Sequence, residues 1–192
     1  MSFGDVVLGR SGAAGPDLDR IFGVVPAAAV LEAATGFAPS GLGSVCYRAV
    51  DGGAFGAFAR VQRELPDLIA TEPDAEAAFD TDDHGFRWAR TRQPPGEAER
   101  VVTDLHTVHA ALEAAGFGPY LVCSLVGFAR PDGHRLALVY THVGGLFHPF
   151  APAVGGGRDE ALETRAGAAI GDELPVEPDR ARWFPIWDAP AL

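Results

Sequence analysis

The stretch "PYLVCSLVGFARPDGHRLALVYTHV" (residues 119–143) constrains the fold more than any other part of the chain. Two apolar runs flank Pro131, Asp132 and Gly133. Pro131 suits the second position of a type I turn and Gly133 its left-handed exit, so the runs read as arms of a β-hairpin. Each arm is apolar at consecutive positions rather than at alternate ones. Both faces of such strands need cover, which places them at the centre of a sheet.

The other segments supply candidates for that cover. "PDLDRIFGVVPAAAVLEAATGFAP" is helical material, with Pro26 in the first turn of its second piece and Gly36 at its stop. "GLGSVCYRAV" reads as a strand closed by Asp51, Gly52 and Gly53. "AFGAFARVQRELPDLIA" carries Phe55, Phe58, Val61 and Leu65 on one helical side, and Pro66 is expected to end or kink it. In "AEAAFDTDDHGFRWARTR" the Phe86/Trp88 alternation and the turn residues before it suit a second hairpin. Val101, Leu105, Val108 and Leu112 recur at helical spacing, and Gly116 and Gly118 follow. "LFHPFAP" reads as a short edge strand disrupted by Pro149, and "GRDEALETRAGAAIGDEL" as a last helix with Asp159 and Glu160 in its first turn.

Strands and helices do not alternate as βαβ units. The expectation is therefore an α+β fold, a mostly antiparallel sheet of about five strands with helices packed against it. At 192 residues, one domain spanning 1–192 is expected. Residues 1–12 read as a mobile N-terminal segment. Residues 176–192 read as a tail packed on the body, because Trp183, Phe184, Ile186 and Trp187 are too apolar to hang free.

The formal charge of −11 and the absence of any basic cluster argue against nucleic acid as a partner. No apolar run is long enough to span a bilayer, and "MSFGDVVLGR" lacks the basic start and apolar centre of a signal peptide. A cytoplasmic location is expected. Cys46 and Cys123 each sit in an apolar run without a CxxC spacing, as buried reduced thiols do.

Catalytic signatures are sparse. His106, His109 and Glu113 fall at i, i+3 and i+7 on one helical side, a spacing that could present ligands to zinc or iron. The spacing differs from HExxH and lacks its glutamate base, so a polar helix side is favoured over a metal-dependent hydrolase. "DTDDHGFRWART" begins like a calcium loop, yet His84 and Thr91 stand where carboxylate ligands are required. No lysine exists for a Walker loop, and Ser124 lies mid-strand rather than on a nucleophile elbow. No cofactor is expected. The surfaces left for binding are an N-terminal apolar foot (Phe3, Val7, Leu8), an acidic stretch that includes Asp80, Asp82 and Asp83, and the aromatic tail with Trp183 and Trp187.

"GLGSVCYR", "DDHGFRW", "VVTDLHTVHAALEAAGFGPYLVCSLVGF", "RLALVYTHVGGLFHPFAP" and "LPVEPDRARWFPIW", in that order, resemble the actinobacterial PspA-associated protein family PspAB. The opening segments, "MSFGDVVLGR" and "DLDRIFGVVPAAAVLEAATGF", look like that family too. The resemblance implies a place in a phage-shock-type envelope stress system, beside PspA, a coiled-coil protein on the inner membrane surface. It implies no catalytic residue. The arrangement of helices about a small sheet also looks like the YbjN and type III secretion-chaperone architecture, a fold-level analogy. The expected role is a non-enzymatic adaptor for a PspA-like partner, at the membrane surface through that partner. The alternatives are the hydrolase on His106, His109 and Glu113, or a chaperone-like homodimer that holds extended peptides.

Overall fold

In the computed structural model the described residues are 17–48, 55–69, 75–187, 189, 190 and 192. Phe3, Val7, Leu8 and the rest of the expected N-terminal segment lie outside them, as do Asp51, Gly52 and Gly53. A 3-10 turn, Leu18–Gly23, leads into helix α1, Val24–Thr35. Strand β1 is Ala38–Arg48, helix α2 Phe55–Ile69, strand β2 Glu76–Thr81 and strand β3 Phe86–Arg92. Helix α3, Ala98–Ala114, precedes strands β4 (Leu121–Ala129), β5 (Arg135–Thr141) and β6 (Leu146–Phe150). Helix α4, Glu160–Ile170, is followed by an irregular tail.

The six strands form one antiparallel sheet in the order β2-β3-β1-β4-β5-β6. This is one strand more than the sequence reading of about five, within the same α+β class. β2, the first arm of the expected second hairpin, is an edge strand of small and acidic residues around Phe79. Its backbone ladder to β3 runs from Glu76↔Arg92 to Thr81↔Arg87, with exposed cross-strand ion pairs beside it, Arg90 to Asp80 at 3.3 Å and Arg92 to Glu76 at 3.5 Å. Asp82 closes the β2–β3 turn. One of its oxygens accepts from the His84 and Phe86 amides, each at 2.9 Å, and the other accepts from the Trp88 indole at 2.9 Å. The PDG hairpin joins β4 and β5, with Gly133 at φ +86°. Its first arm sits beside β1 in mid-sheet.

β1 begins earlier than its sequence signal because Gly41, at φ +80°, absorbs a register shift between Pro39 and Gly43. A Cβ on Gly41 would meet the Gln93 carbonyl, so only glycine fits. α2 runs three residues beyond Pro66 rather than ending there. The lost hydrogen bond falls in the last turn, where Leu65 and Ile69 are buried and offset it.

One face of the sheet carries the helices. Leu31 of α1, Val61 and Leu65 of α2, Val101, Leu105, Val108 and Leu112 of α3, and Leu162 and Ile170 of α4 share a core with Val45, Val126, Leu138 and Phe147 of the strands. The opposite face carries Cys46, Trp88, Cys123, Leu125, Val139 and Phe150, covered by Phe184, Ile186 and Ala189 from the tail. The doubly apolar arms of the central hairpin are explained by these two layers. The free edge of β6 is also partly capped. Phe147 donates its amide to the Pro175 carbonyl at 2.9 Å and accepts from the Glu177 amide at 2.8 Å. Among the described residues no helix is long and apolar enough to cross a membrane.

Candidate functional site

The polar groups that stand out in the structure are internal. His109 lies on α3 four residues after Leu105 and three before Leu112, so it belongs to the buried stripe, and it is fully buried. Ser124 sits in the middle of β4 and faces α3. His142 follows the last residue of β5. His109 Nε2 is 2.6 Å from Ser124 Oγ, and Ser124 Oγ is 3.0 Å from His142 Nε2. The two imidazoles meet edge to face at 4.7 Å, and Tyr140 packs against His142 at 5.1 Å.

One hydroxyl proton serves two imidazoles. Ser124 donates to one Nε2 and accepts from the other, so the two histidines hold opposite tautomers. Both Nδ1 atoms are buried without a hydrogen-bond partner. Burial pushes His142 down to about 3 and His109 well below the ordinary imidazole range, with each other's charge as a further cost to His109. Both rings are neutral at physiological pH. A neutral pair sharing a hydroxyl can join a helix to a sheet. It has no carboxylate to orient it.

His106, one turn earlier, goes elsewhere. Its Nε2 meets Asp19 Oδ1 at 3.1 Å on the surface, and its ring leans on Phe22. Glu113 is exposed near Gly118. The three residues of the expected metal alternative therefore point to three different places. Among the described residues no three His, Cys, Asp or Glu side chains group as metal ligands.

A second buried polar knot joins α3 to β3. Asp104 accepts hydrogen bonds from the Thr91 hydroxyl and, at 2.7 Å, from the Gln93 amide. Burial raises the Asp104 carboxyl above its ordinary value against the lowering effect of those two bonds. A third knot secures α4. Asp159 caps the helix by accepting from the Leu162 amide at 2.9 Å. Fully buried Glu163 is gripped by Arg158 at 2.7 Å and by the Ala151 amide at 3.0 Å.

The surface residues singled out from sequence take varied roles. Asp80 and Asp82 are engaged within the β2–β3 hairpin, while Asp83 is exposed. Trp183 is buried, donating its indole N–H to the Glu177 carbonyl at 2.8 Å and packing on Gly167 of α4. Trp187 is half exposed against the edge of Phe150. Sequence reasoning missed the Ser124 link. The signal was present in the 105/109/112 spacing and in a serine within an apolar strand.

Surface depressions among the described residues accompany this interior. One, of about 420 Å³, runs between α2 and α3 and is lined by Arg60, Val61, Glu64, Leu65, Ala111, Ala114 and Ala115. Another, of about 370 Å³, is bordered by Arg158, Glu160, Glu163, Arg180, Ala181 and Trp183. Neither is lined by His109, Ser124, His142 or Asp104.

Comparison with known proteins returns a family model described as PspA associated protein B, which matches residues 1–191. No curated protein and no solved structure matches the chain.

Proposed function

The chain belongs to the PspA associated protein B family, and from that premise we propose that it is a non-enzymatic adaptor that binds a PspA-type protein during envelope stress. The family match over nearly the whole chain carries this reading. The geometry supports it in two ways. His109, His142, Asp104 and Glu163 make their hydrogen bonds inside the fold, where they join one element to another. The trough between α2 and α3 offers an apolar floor of Val61, Leu65, Ala111 and Ala115 between the charged side chains of Arg60 and Glu64.

A coiled-coil protein exposes helices with apolar stripes, and such a helix binds by laying its stripe in a groove. Small residues on α3 allow a close approach there. The N-terminal residues Phe3, Val7 and Leu8 are a second proposed contact. The test is titration of a purified PspA-type protein by light scattering or calorimetry against the wild-type chain, Ala114→Arg and a chain lacking residues 1–10. Ala114 is exposed, so the arginine is tolerated by the fold. Loss of binding in either variant supports the reading. Undiminished binding in both removes these surfaces from it, and no binding by the wild type overturns it.

A further inference from the structure

The two cysteines are far apart in sequence and directly opposite in the sheet. Cys46 of β1 and Cys123 of β4 are register partners in the antiparallel ladder. Directly opposed residues in such a ladder have Cα atoms about 4.5–5.5 Å apart, which falls inside the span a disulfide bridges. Both thiols are free and fully buried on the sheet face opposite the helices. The tail contributes to the layer on that face. Phe184, Ile186 and Ala189 complete the apolar cluster that contains both cysteines.

That tail is irregular, and side chains from the body hold its main chain. Arg158 donates to the Trp183 carbonyl at 2.6 Å, and the His148 ring meets the Phe184 carbonyl at 3.2 Å. A segment held in this way opens more readily than a strand of the ladder beneath it. While it is closed, burial and the neighbouring thiol raise Cys46 well above the ordinary thiol range. The thiolate needed for oxidation is then scarce.

We propose that Cys46 and Cys123 are a redox pair gated by the C-terminal segment, closing to a disulfide when that segment lifts in the presence of a peroxide or another two-electron thiol oxidant. With hydrogen peroxide, one thiolate attacks the O–O bond to give a sulfenic acid and water. The second thiol then attacks that sulfur, and the hydroxyl leaves as a second water. Two thiols and one peroxide become one disulfide and two waters. The new bond joins neighbouring strands already in register, so the fold need not be dismantled. Oxidation records that the tail has been displaced.

The experiment treats the native, full-length chain with hydrogen peroxide or diamide and follows the intact mass. The expected product is a monomer lighter by two hydrogens, absent in Cys46→Ser and in Cys123→Ser. Ile186→Ala loosens the tail while keeping both thiols and is expected to speed closure on the order of tenfold or more, as the open population rises. Circular dichroism confirms that this variant is folded. The proposal is overturned if the wild type keeps both thiols until urea unfolds it. It is equally overturned if oxidation gives only intermolecular dimers, or if folded Ile186→Ala closes no faster than the wild type.

Discussion

His109 Nε2 lies 2.6 Å from Ser124 Oγ, and this contact joins the middle of α3 to the centre of β4. Because the same oxygen also reaches His142, Ser124→Ala leaves two buried imidazole nitrogens unpaired. The expected cost is about 1–3 kcal/mol, read as a lower urea midpoint at unchanged slope. His106→Ala, one turn away, removes a surface pair with Asp19 and a ring contact with Phe22. It is expected to change stability by about 0.5 kcal/mol or less. Equal effects from the two substitutions would refute this division of roles.

Acid should weaken the fold through its buried histidines. His142 and His148 are held down to about 3, and His109 well below its ordinary value, in each case chiefly by burial. In the unfolded chain a histidine titrates near 6.5. Below that pH the unfolded state binds more protons, so the stability contributed by neutral burial is present above about pH 6.5. It is lost as pH falls toward about 3. At pH 5 His142 and His148 are each expected to cost about 2 kcal/mol relative to pH 7.5, and His109 acts in the same direction. Urea unfolding at pH 7.5, 6 and 5 measures the slope. His148→Gln, whose amide can still donate to the Phe184 carbonyl, should reduce that slope, removing about 2 kcal/mol of the loss between pH 7.5 and pH 5. A stability that does not fall between pH 7.5 and pH 5 contradicts the prediction.

Asp104 should tolerate an amide better than a deletion. Asp104→Ala removes the acceptor shared by Thr91 and Gln93 and is expected to cost about 1–3 kcal/mol. Asp104→Asn can keep a carbonyl at the one oxygen both partners reach, still accepting from the Thr91 hydroxyl and the Gln93 amide. The asparagine also avoids burying a carboxylate whose charged form is disfavoured there. Thermal melts of the two variants should differ by several degrees, with asparagine the higher. The reverse order would rule out this account.

Neighbouring aspartates in the β2–β3 turn should behave differently. Asp82→Ala loses two amide contacts and the Trp88 indole contact, at an expected cost of about 1–3 kcal/mol. Asp83→Ala touches an exposed side chain and should stay within about 0.5 kcal/mol. Chemical denaturation of both variants reads the difference. A costly Asp83 substitution beside a neutral Asp82 one would show the turn to be organised otherwise.

Local pattern alone determined the α+β class, the PDG hairpin, the buried stripe of α3 and the helix stop at Gly36, because each rests on spacing or on a backbone conformation that one residue type favours. The ordered segments that resemble the PspA associated protein B family were legible in the same way. Pairing was not. Cys46 meets Cys123, Ser124 meets His109 and His142, and Asp104 meets Thr91 and Gln93 only because β1 lies between β3 and β4 with α3 packed across them. No periodicity encodes such contacts, since they depend on strand order and register rather than on neighbours along the chain. The same holds for the tail, whose aromatic residues required a cover but could not say which face of the sheet would provide it. Tertiary structure decided these points because burial changes what a polar side chain must do. On a solvated helix His109 would be an ordinary imidazole; in the core it needs a polar partner, and the Ser124 hydroxyl supplies it.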